Sequence, residues 1–124
     1  RMSAEIYYSE THPHSMFVVA TLNYLNIQFN GKKLDMDKGE HQSSAMEKIS
    51  PDGILPALKE GDLCLSRAQA IVKYMLAEEY KGGDFYPSDD LKTRTRIDAY
   101  LDYDSMDLRG ALVNLVRWNN KECQ

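Results

Sequence analysis

The stretch Tyr7-Tyr8-Ser9-Glu10-Thr11-His12-Pro13-His14-Ser15-Met16 gathers two serines, a threonine and two histidines between two apolar runs. A hydroxyl beside an imidazole is the pairing that makes a nucleophile or a proton donor. His12 and His14, joined by the distant His41, are also metal-ligand types. A catalytic zinc takes three protein ligands and a structural one four, whereas His12 and His14 are one residue apart with no assured third, so no metal is expected. Nothing in the sequence supplies a carboxylate to orient His12, which reads as a partly exposed turn residue as readily as an acid or base. Thr11 reads either as a helix-capping residue or as an O–H donor aimed at a developing anion. The stretch has no cysteine, and thiol–disulfide exchange needs a thiolate, so that chemistry is excluded here. Tyr7 and Tyr8 point to opposite faces if both lie in a strand, and one core and one surface position is the simpler assignment.

These residues need elements to hold them. Ala4 to Tyr8 has strand composition, and Ser15 to Leu25, with apolar Met16, Val19, Ala20, Leu22 and Leu25, suits a mostly buried helix that Pro13 opens. Ile27 to Met36 reads as a weak edge strand broken by Asn30 and Gly31, followed by a short helix around Ser43 to Ile49. Ile54–Lys59 and Leu63–Leu65 flank Glu60-Gly61-Asp62, the spacing of a hairpin. Ser66 is a natural N-cap for the helix through Ala70, Ile71, Tyr74, Met75 and Ala77. After a Gly- and Pro-bearing linker, Leu91 to Trp118 places Ile97, Leu101, Leu108, Leu112 and Leu115 on one side of a single long amphipathic helix. The order predicts an α/β fold, a mixed sheet with helices on both faces, compatible with a thioredoxin-like layout.

Composition narrows the class. The 124 residues suffice for one domain, or one and part of the next, and 43% hydrophobic content can form a core. Fifteen Lys and Arg against 19 Asp and Glu give a net charge of -4, and the basic residues are scattered, which argues against nucleic acid or an anionic membrane as partner. No apolar run approaches the ~20 residues that span a bilayer, and no secretory h-region opens the sequence. Cys64 and Cys123 form no CxxC pair, which favours a reducing compartment, so a soluble cytoplasmic protein is expected. Cys64 reads as a small buried hydrophobe and Cys123 as an exposed thiol.

Three segments carry a family resemblance. "DKGEHQSSAMEKISP" (37–51), "ILPALKEGDLCLSRAQAIVKYM" (54–75) and "DFYPSDDLKTRTRIDAYLDY" (84–103) resemble, in order and spacing, segments of the glutathione transferases, most closely the theta-like class. The resemblance implies a thioredoxin-like N-terminal domain at 4–80, a linker at 81–90 and, at 91–124, part of an all-helical C-terminal domain. It implies glutathione as co-substrate, no other cofactor, and transfer of the glutathione thiolate to an electrophile. Pro56 matches the family's cis-proline, Leu55 the residue whose backbone pairs with the cysteinyl part, and His41 a histidine near the glycyl end. The family's activating serine falls at Thr11 or His12. The Thr-His-Pro-His run also stands where thioredoxin-like redox proteins carry Cys-x-Pro-Cys.

One departure stands out. Where the family has a Glu-Ser pair to bind the γ-glutamyl end, this chain has Arg67-Ala68. Arg67 puts a cation near the ligand ammonium, or grips the γ-glutamyl carboxylate in a different binding mode. Two readings follow: a glutathione transferase, or a noncatalytic transferase-like module used in dimerisation or a larger assembly. Under either, the stripe on the long helix suits a homodimer or an assembly partner, as the family's usual dimers imply.

Overall fold

The computed structural model describes residues 3–80 and 83–122. They fall into two compact units that divide after residue 82. Cys123 lies outside the described residues, as do linker positions 81 and 82.

The first unit is built on a four-stranded sheet. Strands β1 (Glu5–Tyr8), β2 (Asn30–Lys33), β3 (Ala57–Glu60) and β4 (Leu63–Ser66) stand in the order β2-β1-β3-β4. β1 and β2 are parallel, which requires a crossover, and α1 (Pro13–Tyr24) supplies it. β3 runs antiparallel to β1 and to β4, and Gly61 at φ 57 takes the left-handed conformation of their two-residue turn. A 3₁₀ turn at Glu40–Gln42 and the short α2 (Ser44–Glu47) connect β2 to β3, and α3 (Ala68–Tyr80) follows β4.

Strand alternation divides the core into two layers. Ile6 pairs with Leu58, and both are fully buried, as are Val18 and Leu22 of α1 and Ile71 and Met75 of α3, two helices that pack on each other. The neighbouring register pair, Tyr7 and Ala57, faces the other way and joins Met46 of α2 with Leu55, Leu34, Met36 and Ile49. Burying one such aliphatic side chain is worth about 1.5–3 kcal/mol, so both layers contribute substantially to folding. This is the predicted thioredoxin-like mixed sheet with helices on both faces.

α1 ends in a Schellman motif. The Ile27 N–H donates to Leu22 O at 2.9 Å, and the Asn26 N–H to Asn23 O at 3.1 Å, while Asn26 takes φ 55. Asn tolerates this left-handed position better than most residues, and the buried Ile27 and Leu22 supply the accompanying apolar contact.

The structure corrects three local expectations. Asn30 and Gly31 do not break β2 but begin it, and a Cβ at Gly31 would stand 3.2 Å from the Tyr8 ring. The glycine makes room for an aromatic ring across the strands. Cys64 is exposed rather than buried: it shares the sheet face of Tyr7 and Ala57, but β4 is an edge strand. Ser66 pairs with Ala57 as the last residue of β4 instead of capping α3; the Arg67 carbonyl accepts from the Ile71 N–H at the helix start. The expected long helix forms, with one π-helical turn inside it.

That helix belongs to the second unit. α4 (Leu91–Tyr103) passes through a π-helical turn at Asp104–Leu108 into α5 (Arg109–Glu122). A π turn widens the helix, so the stripe beyond it is rotated away from Ile97 and Leu101. Asp90 caps α4 by accepting from the Thr93 N–H and Oγ1, and the Tyr86 hydroxyl donates to Asp98 at 2.9 Å, tying the preceding segment to the helix. No described helix is long and apolar enough to cross a membrane.

Candidate active site

Strand direction assembles the candidate residues. β1 runs toward the end of the sheet where Ala57, opposite Tyr7, begins β3 and where Ser66, opposite Ala57, ends β4. The Ser9–His12 turn, the Leu55-Pro56 pair and Arg67-Ala68 therefore enter or leave the sheet at one end, and α1 and α3 both begin there. Each helix start carries partial positive charge, equivalent to about half an elementary charge, which suits an anionic ligand. β2 ends at the same edge, with Lys33 beside Tyr8, and leads through a loop to His41.

Thr11 is exposed, and its Oγ1 lies 3.1 Å from Oγ of the buried Ser9. The Ser9 N–H in turn donates to Oγ of Ser15, buried in the first turn of α1, at 3.2 Å. Thr11 does not cap the helix. His12 occupies the N-cap position with extended backbone and no side-chain cap bond, and its carbonyl accepts from the Met16 N–H at 3.1 Å. The His12 ring is half-buried, with its centroid 5.3 Å from that of His14. A hydroxyl carries one proton and accepts as well, so a Ser9-to-Thr11 bond leaves the Thr11 proton for a third group.

Leu55 and Pro56 are buried, and the bond between them is cis. The segment before them is pinned from within. Ser50, buried, accepts the Ile54 N–H on Oγ at 3.1 Å; the same oxygen lies 2.9 Å from Ile54 O and 3.1 Å from Asp52 Oδ1, with one proton to share between them. Gly53 at φ 66 makes the bend beneath His41. His41 lies in the 3₁₀ turn with Nδ1 buried and without a hydrogen-bond partner among the described residues. It borders an open, largely polar cleft of about 420 Å³ together with Ser43, Glu47, Ser50 and Asp52.

Arg67 is exposed and adopts φ 92, a left-handed conformation that non-glycine residues rarely occupy and that costs on the order of 1–3 kcal/mol. Its Nη2 donates to Asp52 Oδ2 at 2.9 Å, and this bond holds the Asp52 carboxyl below its ordinary value. Asp52 thereby links the His41 cleft to Arg67. Tyr7 is occupied elsewhere. Burial, and then the hydrogen bond its hydroxyl donates to Glu5 at 2.9 Å, push the phenol up to about 12, so it remains a neutral donor committed to Glu5.

The structure thus groups Thr11, His12, Leu55, Pro56 and Arg67 at one sheet end and joins His41 to them through Asp52. It does not bring the histidines into a metal cluster: among the described residues no three His, Cys, Asp or Glu side chains are placed to hold an ion. Sequence reasoning missed Ser9, Ser50 and Asp52. Asp52 was visible only as a turn former between Pro51 and Gly53, and its pairing with Arg67 spans 15 residues.

The glutathione S-transferase N-terminal domain profile matches residues 3–77. Human glutathione S-transferase theta-1 is 36% identical over 95 residues, which are 77% of this chain and 38% of that protein; the rat theta-1 enzyme is likewise 36% identical. The chain spans about two fifths of the length of these curated relatives. Among solved structures, human glutathione transferase theta-2 in complex with glutathione superimposes with a TM-score of 0.77 at 30% identity, covering 86% of this chain and 44% of that one. A diazinon-metabolizing glutathione S-transferase of the silkworm Bombyx mori gives 0.78 at 27% identity, covering 85% and 52%. A domain profile spanning more than half of the sequence, on the thioredoxin-like fold just described, places this chain in the glutathione S-transferase family, in the N-terminal domain its theta-like segments resemble.

Proposed function

We propose that this chain binds glutathione at the sheet end and supports transfer of its thiolate to an electrophile. The observation that carries the reading is the convergence of the Thr11 turn, the cis Leu55-Pro56 bond and the start of α3 at one edge of a transferase-type domain. Thr11 donates its hydroxyl proton to the glutathione sulfur, and the start of α1 adds favourable electrostatics to the thiolate. His12 contributes through its backbone at the head of α1. The Leu55 backbone, presented by Pro56, pairs with the cysteinyl portion, His41 meets the glycyl carboxylate from its cleft, and Arg67 takes the γ-glutamyl carboxylate. Glutathione enters as co-substrate, and orientation with thiolate stabilisation is the protein's share of the chemistry.

Residues 4–80 supply this site in the proposal, 81–90 link, and 91–124 are part of a helical domain. The exposed aliphatic residues of α5 are the surface assigned to a second copy or an assembly partner, and a reducing compartment such as the cytoplasm suits the thiol chemistry. Calorimetric titration with glutathione tests the reading: saturable binding is expected, and none at millimolar ligand would sink it. With binding in hand, Thr11→Ala should raise the pKa of the bound thiol by about one to two units, the equivalent of one hydrogen bond to a charged group. An unchanged thiol titration would remove Thr11 from the mechanism.

A further inference from the structure

Arg67 alone is a poor match for the α-amino-acid end of glutathione, because a cation repels the ligand's ammonium. The structure does not leave it alone. Asp52 arrives from a different loop and pairs with it at 2.9 Å, and both side chains stay open to solvent, 57% exposed for Arg67 and 47% for Asp52. We propose that the Asp52–Arg67 pair is the receptor for the zwitterionic α-amino-acid end of the ligand, with Asp52 accepting the ammonium and Arg67 donating to the carboxylate. The inference rests on the glutathione-binding reading and specifies which groups select the ligand.

The chemistry follows from the charges. An ion pair is a dipole, and a zwitterion laid against it antiparallel places four charges in alternation, each flanked by two of opposite sign. A ligand bearing only the carboxylate gains Arg67 but is repelled by Asp52, and one bearing only the ammonium meets the reverse. The pair therefore recognises an α-amino acid as a unit.

Both groups have capacity left. A carboxylate offers about four lone-pair sites, and the donors that face Asp52 are Arg67, Ser50 and the Ile54 amide, which leaves room for another. Guanidinium has five donors, of which one meets Asp52 and another lies 3.5 Å from Ser66 Oγ. Arg67 is a donor only, so its side chain satisfies none of the first amides of α3, and those amides point to the same preference for a carboxylate. The buried Ser50 fixes the course of the Asp52 loop, so the carboxylate is positioned before a ligand arrives.

The test compares glutathione with its analogue lacking the α-ammonium, each titrated calorimetrically into the wild-type chain and into Asp52→Asn. Wild type should prefer glutathione by about tenfold or more, the worth of one charge-assisted hydrogen bond. In Asp52→Asn that preference should fall close to one, with the affinity for the analogue not weakened. Equal affinity of wild type for the two ligands would overturn the proposal while leaving glutathione binding in place, and so would a full preference retained in Asp52→Asn. No glutathione binding by wild type would overturn both. The wild-type comparison needs no variant and is decisive without one.

Discussion

Ile6, Leu58, Ile71 and Met75 are sealed from solvent in the first unit, whereas Leu112, Leu115 and Val116 on α5 of the second each leave half or more of their surface in water. Both sets lie on amphipathic elements, and an apolar face of either kind calls for a covering layer. What separates them is the presence of a complementary layer. The sheet presents two faces, and α1, α3 and the Met46 cluster cover them, while none of the described residues from Leu91 to Arg117 is buried. Periodicity identifies a face, but the occupant of that face is a property of the assembled fold.

The sharpest way to break this contrast is to shave one residue from each unit. Leu58→Ala should lower the unfolding free energy by about 2–5 kcal/mol, and Leu115→Ala should change the same transition by no more than ~0.5 kcal/mol. Hydrogen exchange at the amides of β3 and α3 follows the first unit separately from the second. Equal losses in the two variants would overturn the contrast.

Helix ends give a smaller and more local contrast. Asn26→Ala forces a β-carbon into the left-handed position without the local hydrogen bonding Asn offers and should cost the first unit roughly 1 kcal/mol, whereas Asn26→Gly should be neutral or stabilising. Asp90→Ala removes the cap on α4 and should cost about 1 kcal/mol, read in the exchange of the second unit alone. Denaturation of the four proteins in parallel would show whether each end reports on its own unit.

The smallest effect concerns acid. Asp52 is held below its ordinary 3.8 by the Arg67 hydrogen bond, and Asp90 below the same value by its hydrogen bonds from Thr93. Folding thus favours the ionised form in both, so their contribution is complete above the unfolded value and fades as pH falls from about 4 through the lower folded values. Both groups are well solvated, which keeps the effect modest. Asp52→Asn should flatten the acid limb for the first unit and leave that of the second unchanged, measured by thermal melts between neutral and strongly acidic buffer.

Much of the first unit was legible from local chemistry. The Glu60-Gly61-Asp62 turn announced the β3–β4 hairpin, and Pro13 the start of α1. The errors occurred where a residue's meaning depends on a distant neighbour. Gly31 resembles a strand breaker until the Tyr8 ring is placed over it, and Cys64 resembles a core residue until β4 proves to be an edge. Ser66 has every attribute of a cap but is claimed by the ladder to Ala57. At the candidate site, residue type drew attention to Thr11, His12 and His41, and family resemblance added Leu55, Pro56 and Arg67; resemblance carries positions but not partners. Ser9 beneath Thr11 and Asp52 beside Arg67 emerged only from the folded chain, because hydrogen bonding across loops has no periodic signature.

The Ser50 hydroxyl has a consequence for how this surface can change. It braces the loop from the interior, holding both the amide and the carbonyl of Ile54, so part of what sets the loop's path is a side chain hidden from the rim. Pro51, Asp52 and Ile54 are exposed, and exchanging them alters what the rim presents without asking the backbone to find a new route. Such a loop separates what sets its shape from what it displays: the brace is hidden, while the rim is where substitutions change the groups presented to solvent.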